Sequence, residues 1–124
     1  MSYDIRFAVK VDGHPDIYAV IGEPEYSSPT YNVADILRQS TGWDYKQGEW
    51  YKMTDVIPLI EHGIHELSFN PHMYKALEPD NGYGSVASAL KALRSIIGWF
   101  TSDWGGLKGS WNSDIPLECI YMSW

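Results

Sequence analysis

Two histidines three residues apart, His62 and His65, are bracketed by Glu61 and Glu66 in a stretch whose apolar spacing predicts a helix. On a helix that spacing lets both imidazoles reach one ion, so metal binding is the first chemistry to weigh. At about 100° per residue, however, the wheel sets His65 opposite Ile60, Ile64 and Leu67, with Glu61, His62 and Glu66 beside it. That is the pattern of a solvated face. The paired-histidine metalloprotease motif needs His at i and i+4 with Glu after the first, and this chain lacks it. The expectation is therefore no metal and no cofactor. A hydrolase using His62, His65 or His72 beside an acid would need a pocket that spacing alone does not specify.

A second candidate is Asn81-Gly82-Tyr83-Gly84-Ser85, which precedes the clearest helix of the chain. A glycine-rich turn at a helix N-terminus presents backbone amides to an anion, so Gly82, Gly84 and Ser85 could take a phosphate or a phosphate-bearing signal molecule. The spacing matches neither a P-loop nor a dinucleotide fingerprint, and a capped turn is the plainer reading. Cys119 is the single cysteine, which excludes an internal disulfide and fits a reducing compartment. Nothing near it in sequence lowers a thiol pKa, and a strand cysteine is usually buried and inert. No spacing among the carboxylates selects a pair for acid and base work.

Aromatic residues are the remaining candidates, at 15% of the chain with six Trp and nine Tyr. Four of them crowd into residues 43–51. In extended geometry Trp43 and Tyr45 share a face, while Trp50 and Tyr51 point apart, which leaves some of them exposed. Trp99 falls with Ser88, Lys91 and Ser95 on the polar side of its helix, and Trp104 and Trp111 lie in or beside the irregular, glycine- and serine-rich stretch 103–114. Such residues either fill a core or anchor a protein interface or stacked ligand. Trp43, Tyr45, Trp50, Tyr51, Trp99, Trp104 and Trp111 are thus the candidate binding residues.

The elements that must position these groups follow from periodicity. Tyr3, Ile5, Phe7, Val9 and Val11 alternate with polar or small residues, a half-buried strand; turn chemistry at 12–16 and a second strand over 17–21 make an N-terminal hairpin. Pro24 and Pro29 keep 23–30 out of a sheet interior. Asn32 can cap a short helix from Val33 to about Ser40, stopped by Gly42. Gln47-Gly48 suggests a tight turn between two short extended pieces. An amphipathic helix follows Thr54 and ends near Phe69, with Val56, Ile57, Leu59, Ile60, Ile64 and Leu67 inward, Pro58 in its first turn, and Gly63 weakening its centre. Residues 71–77 can form a further short helix. Ser85 caps a helix over 86–100 with Val86, Ala89, Leu90, Leu93, Ile96, Ile97 and Phe100 as its stripe, and 117–124 is a last strand. The order lacks repeated βαβ units, so the expected fold class is α+β: a small, largely antiparallel sheet, from the N-terminal hairpin and C-terminal strand, covered by two to three helices.

At 124 residues a single domain is the expectation, one able to bury a core without disulfide or metal. A net charge of −7 argues against direct nucleic-acid binding and against anionic membranes. The acids are spread from Asp4 to Glu118, serving as a solubilising surface or an acidic face toward a basic partner. The start lacks the apolar core of a secretory signal and no apolar run could span a bilayer, so a cytoplasmic location is expected.

Ser28-Pro29-Thr30-Tyr31-Asn32, then Thr41-Gly42-Trp43-Asp44-Tyr45-Lys46-Gln47-Gly48-Glu49, Ile64-His65-Glu66-Leu67, Asp80-Asn81-Gly82-Tyr83-Gly84 and the ending from Ile115 to Trp124 resemble small proteins encoded by phages, prophages and mobile elements of Gram-positive bacteria. The resemblance covers residues 28–124 and carries no activity or catalytic residue. What it implies is a setting, since small acidic phage proteins often inhibit a host system by binding it. The leading expectation is a non-enzymatic binding protein in the cytoplasm of a host bacterial cell, with a host protein as partner, antagonising a defence system in the manner of an anti-CRISPR. Sequestration of a nucleotide or small signal molecule is the second reading, and a small hydrolase the third. Oligomeric state is not encoded in any pattern found.

Overall fold

The fold, taken from a computed structural model, is described for residues 3–10, 17–26, 28–104 and 119–123. Strands β1 (Asp4–Lys10), β2 (Tyr18–Gly22), β3 (Trp50–Lys52) and β4 (Cys119–Ser123) form one sheet in the order β2-β1-β4-β3. Every neighbouring pair is antiparallel. The first strand thus pairs with the last at the centre, Asp4 opposite Ser123 and Ala8 opposite Cys119, while the hairpin partner β2 and the short β3 lie at the edges. The hairpin's connection, residues 11–16, lies outside the described residues.

Alternation along β1 sets the two faces. Tyr3, Ile5 and Phe7 are buried, whereas Asp4 and Arg6 are half-buried and form a 3.2 Å ion pair on the opposite face. The covered face carries α1 (Ala34–Thr41), α2 (Met53–Phe69) and α3 (Val86–Gly98), with α2 packed against both other helices. The expected α+β class, antiparallel sheet and helical cover are what the chain adopts. Each large apolar side chain buried between the layers contributes about 1.5–3 kcal/mol.

Several helix ends differ from the sequence reading. Asn32 does not cap α1; a 3-10 turn over Tyr31–Val33 precedes it, with Val33 at the cap position and fully buried. Packing of Val33 outweighs the side-chain cap, and Thr30 instead accepts from the Val33 amide through its carbonyl at 3.2 Å. Gly42 ends α1 as expected, in the left-handed region at φ 72° with its amide on the Arg38 carbonyl. Pro58 is the sixth residue of α2, beyond the first turn; the carbonyl it leaves free belongs to exposed Thr54, where water can satisfy it. Residues 71–77 form two 3-10 turns rather than one helix. Ser85 caps α3 as expected, and Trp99–Trp104 continues it as a π-helical turn.

Gly63 is the point where three helices meet, not only a weak link in α2. A Cβ there would lie 2.5 Å from Thr41 Cγ2 and 2.9 Å from Leu93 Cδ1. Thr41 cannot swing away, because its hydroxyl donates to the Leu37 carbonyl at 2.6 Å and accepts from the Trp43 amide at 3.0 Å. Gly63→Ala gains about 1 kcal/mol of helix propensity but overpacks a closed contact, which costs about 1–3 kcal/mol. Urea denaturation is expected to show the variant less stable than the parent; a more stable variant would contradict this packing.

Candidate functional site

The aromatic segment turns inward. After Gly42, the Thr41 hydroxyl holds the Trp43 amide, and Trp43 and Tyr45 are 5% and 1% exposed. Trp43 meets Tyr45 and Tyr51 edge-on, with centroids 5.1 and 5.2 Å apart. Tyr45 meets Tyr3 of the sheet at 5.6 Å, the two hydroxyls hydrogen-bonded at 2.7 Å, and the Arg38 guanidinium lies 4.4 Å over its ring. Such aromatic pairs contribute about 0.5–1.5 kcal/mol each beyond their buried area. One cost remains: among the described residues the buried Trp43 indole N–H meets no acceptor, and Trp43 borders a void of about 10 Å³ lined by Ile5, Leu37 and Leu93.

Trp43 and Tyr45 are therefore core residues and not surface anchors. Trp99 is too, at 6% exposure, stacked face to face on Phe7 with centroids 3.8 Å apart and planes within 8°. The wheel placed it on a polar side, but that side is covered by the chain that follows β2. Ser95 Oγ donates to the Tyr26 carbonyl at 3.5 Å, and Lys91 Nζ lies 4.7 Å over the Tyr26 ring. Trp50 and Tyr51 are half-buried on β3. The Tyr51 hydroxyl accepts from the Lys46 amide at 2.6 Å and reaches Glu49 at 3.4 Å, which closes the Gln47-Gly48 turn. Only one side of that turn is a strand, β3. The side chain of Trp104 and all of Trp111 lie outside the described residues.

The N-terminus of α3 is already occupied by its own chain. Glu78 Oε1 accepts from the Val86 amide at 2.8 Å, and Ser85 and Ser88 bond reciprocally, each side-chain oxygen accepting from the other's amide at 3.1 and 2.8 Å. Gly82 and Gly84 take φ of 77° and 113°, and Gly84 lies close under Val33, Thr30 and Asn32. An incoming phosphate would have to displace a carboxylate in the position a helix N-terminus favours for an anion. The amides of Ser85, Val86 and Ser88 beside Gly82 and Gly84 are thus already bonded within the chain.

On α2, His62 and His65 are exposed. Glu66 is oriented by three neighbours: His62 Nε2 at 3.9 Å, Asn70 Nδ2 at 3.3 Å and the Tyr74 hydroxyl at 3.2 Å. The His65 ring lies against Phe69 at 4.7 Å. Both imidazoles face solvent, and among the described residues no set of three or more metal-binding side chains converges. The Cys119 side chain is not among those described.

Two surface features were not read from the sequence. An open groove of about 410 Å³ is lined by Asn32, Ala34, Asp35, Arg38, Leu77 and Pro79, where α1 meets the connector between α2 and α3. Large apolar side chains are exposed at Phe69, Met73 and Tyr83 in or bordering that connector, and at Ile17 and Val20 in or beside β2. The first three were visible as residues but not as exposed ones, because isolated apolar residues in a loop carry no period.

Burial holds the Tyr51 hydroxyl above its ordinary value near 10, and burial followed by the Glu66 carboxylate does the same for Tyr74. Both favour the neutral phenol in the folded state, so their contribution is complete below about pH 10 and is lost as pH rises through the raised values. Urea midpoints are expected to fall as pH rises above about 10, and to fall less steeply in Tyr51→Phe. Equal slopes would contradict this. Among the described residues no helix is long and apolar enough to cross a membrane. No protein-family model, curated protein or solved structure matches the chain.

Proposed function

We propose that this chain is a non-enzymatic binding protein whose partner is a protein, and that it antagonises a bacterial defence or regulatory system. The observation that carries the first part is the distribution of exposed apolar side chains. The large ones among the described residues fall into two stretches, Phe69 to Tyr83 and Ile17 to Val20, while the tryptophans Trp43 and Trp99 are withdrawn into the core. Scattered apolar residues are normal on a surface, and these are set apart by how fully exposed they are within two short stretches of chain. Phe69 and Tyr83, each 71% exposed, keep most of their area in water until something covers them. The groove beside the connector mixes Arg38 and Asp35 with Leu77 and Pro79, the polar and apolar blend of a protein contact. A charge of −7 supports a basic partner. The second part rests on the resemblance to phage and mobile-element proteins.

The test substitutes Phe69→Ser, Met73→Ser and Tyr83→Ser together. These side chains are exposed, so stability is expected to change little, by about 0.5 kcal/mol or less per site. Plating of phage on a defended bacterial host expressing the parent chain should rise, and the triple variant should lose that protection along with capture of its protein partner. A parent that protects phage from no defence system and captures no protein would overturn the proposal.

A further inference from the structure

The two edges of the sheet are built differently. At one, β3 is three residues long, carries exposed Lys52 and runs directly into α2. Short length and an edge lysine are devices that prevent strand addition. At the other, β2 runs Tyr18–Gly22 with no charged residue and no proline, preceded by Ile17. Among the described residues no strand lies beyond it.

The helical layer also stops short there. The Trp99 indole covers the C-terminal end of β2 so closely that a Cβ on Gly22 would lie 2.6 Å from its Nε1. Beyond that point Ile17 and Ala19 are exposed, and Val20, which alternation sets on the other face of the sheet, is exposed as well. The strand is nevertheless held in place, by its ladder to β1 and by the packing of Tyr26 on α3. A row of backbone donors and acceptors on a fixed strand, beside an apolar ledge, is satisfied in register only by another extended chain. Pre-ordering lowers the entropy cost of adding it.

Charge selects the occupant. Glu23 and Glu25 follow the strand, both exposed, with Glu23 only loosely paired to Arg6 at 3.9 Å. Two copies of the chain would each bring −7 to the contact. We infer that β2 is a docking edge for an extended, basic segment of a partner protein, which adds as a fifth strand and sets apolar side chains beside Ile17 and Ala19 on one face, with Val20 flanking it on the other. This rests on the binding-protein reading and names the partner chemistry at the second of its two apolar stretches.

The test titrates the isotope-labelled full chain with a heptapeptide alternating valine and lysine, and with its counterpart carrying glutamate for lysine. The lysine peptide is expected to shift the amide resonances of Tyr18–Gly22 and slow their hydrogen exchange, and the glutamate peptide to leave them unchanged. Val20→Lys and Ile17→Lys, both at exposed positions, should each weaken binding by about tenfold or more. Three results would overturn the inference: no change at β2 with either peptide, equal binding of both, or a peptide-free dimer dissolved by Val20→Lys, which would make a second copy the occupant. Failure here with protection of phage still lost on substituting Phe69, Met73 and Tyr83 would leave the broader proposal standing.

Discussion

The stack of Trp99 on Phe7 is the contact on which the arrangement of this molecule depends. It ties the end of α3 to the central strand of the sheet, and it does so over Gly22, the residue opposite Phe7 in the β1–β2 register. Any side chain at position 22 would occupy the space of the indole. The stack therefore fixes where the helical layer ends, and with it which part of β2 is covered and which is left to solvent. The register shift between Phe7 and Ala8 falls at the same place. A ladder irregularity next to a stacked indole re-aims the strand without breaking its pairing with β4.

A second aromatic group closes the other end of the core. Tyr3, Trp43, Tyr45 and Tyr51 join β1, the loop after α1 and β3 through edge-on contacts and one buried hydroxyl pair. This explains how a short α1 and a three-residue β3 are held. Because β3 joins the sheet through β4, and β4 pairs in turn with β1, the sheet is complete only when parts of the chain far apart in sequence are brought together. Pairings of that sequence separation make folding slower than local contacts would.

Strand and helix placement was legible in the sequence because it follows from period. The alternation of Tyr3, Ile5 and Phe7 and the stripe from Val86 to Ile96 each declare their buried face. The aromatic residues were not legible in the same way. Trp99 lies among Ser88, Lys91 and Ser95 on the wheel, and only the tertiary position of Tyr26 and Phe7 shows that this polar-looking face is packed. Trp43 and Tyr45 lie in a loop with no period, and the hydroxyl of Thr41 that turns them inward has no sequence signature. The Gly82-to-Ser85 turn was legible as a helix start, but the partner that fills it, Glu78, comes from eight residues before Val86. The exposed apolar side chains, in turn, were hidden because exposure of Phe69, Met73 and Val20 depends on what the rest of the fold leaves uncovered.

The claim that Trp99 caps β2 and ends the helical cover is tested most directly by a double-mutant cycle between Gly22→Ala and Trp99→Leu, measured by denaturant unfolding. In the parent background Gly22→Ala is expected to cost about 1–3 kcal/mol, because the new methyl meets a stacked indole that cannot move aside. In the Trp99→Leu background the same substitution should cost close to nothing, so that the two changes are strongly coupled. Equal penalties in both backgrounds would contradict the account, since the residue at position 22 would then owe its identity to something other than Trp99.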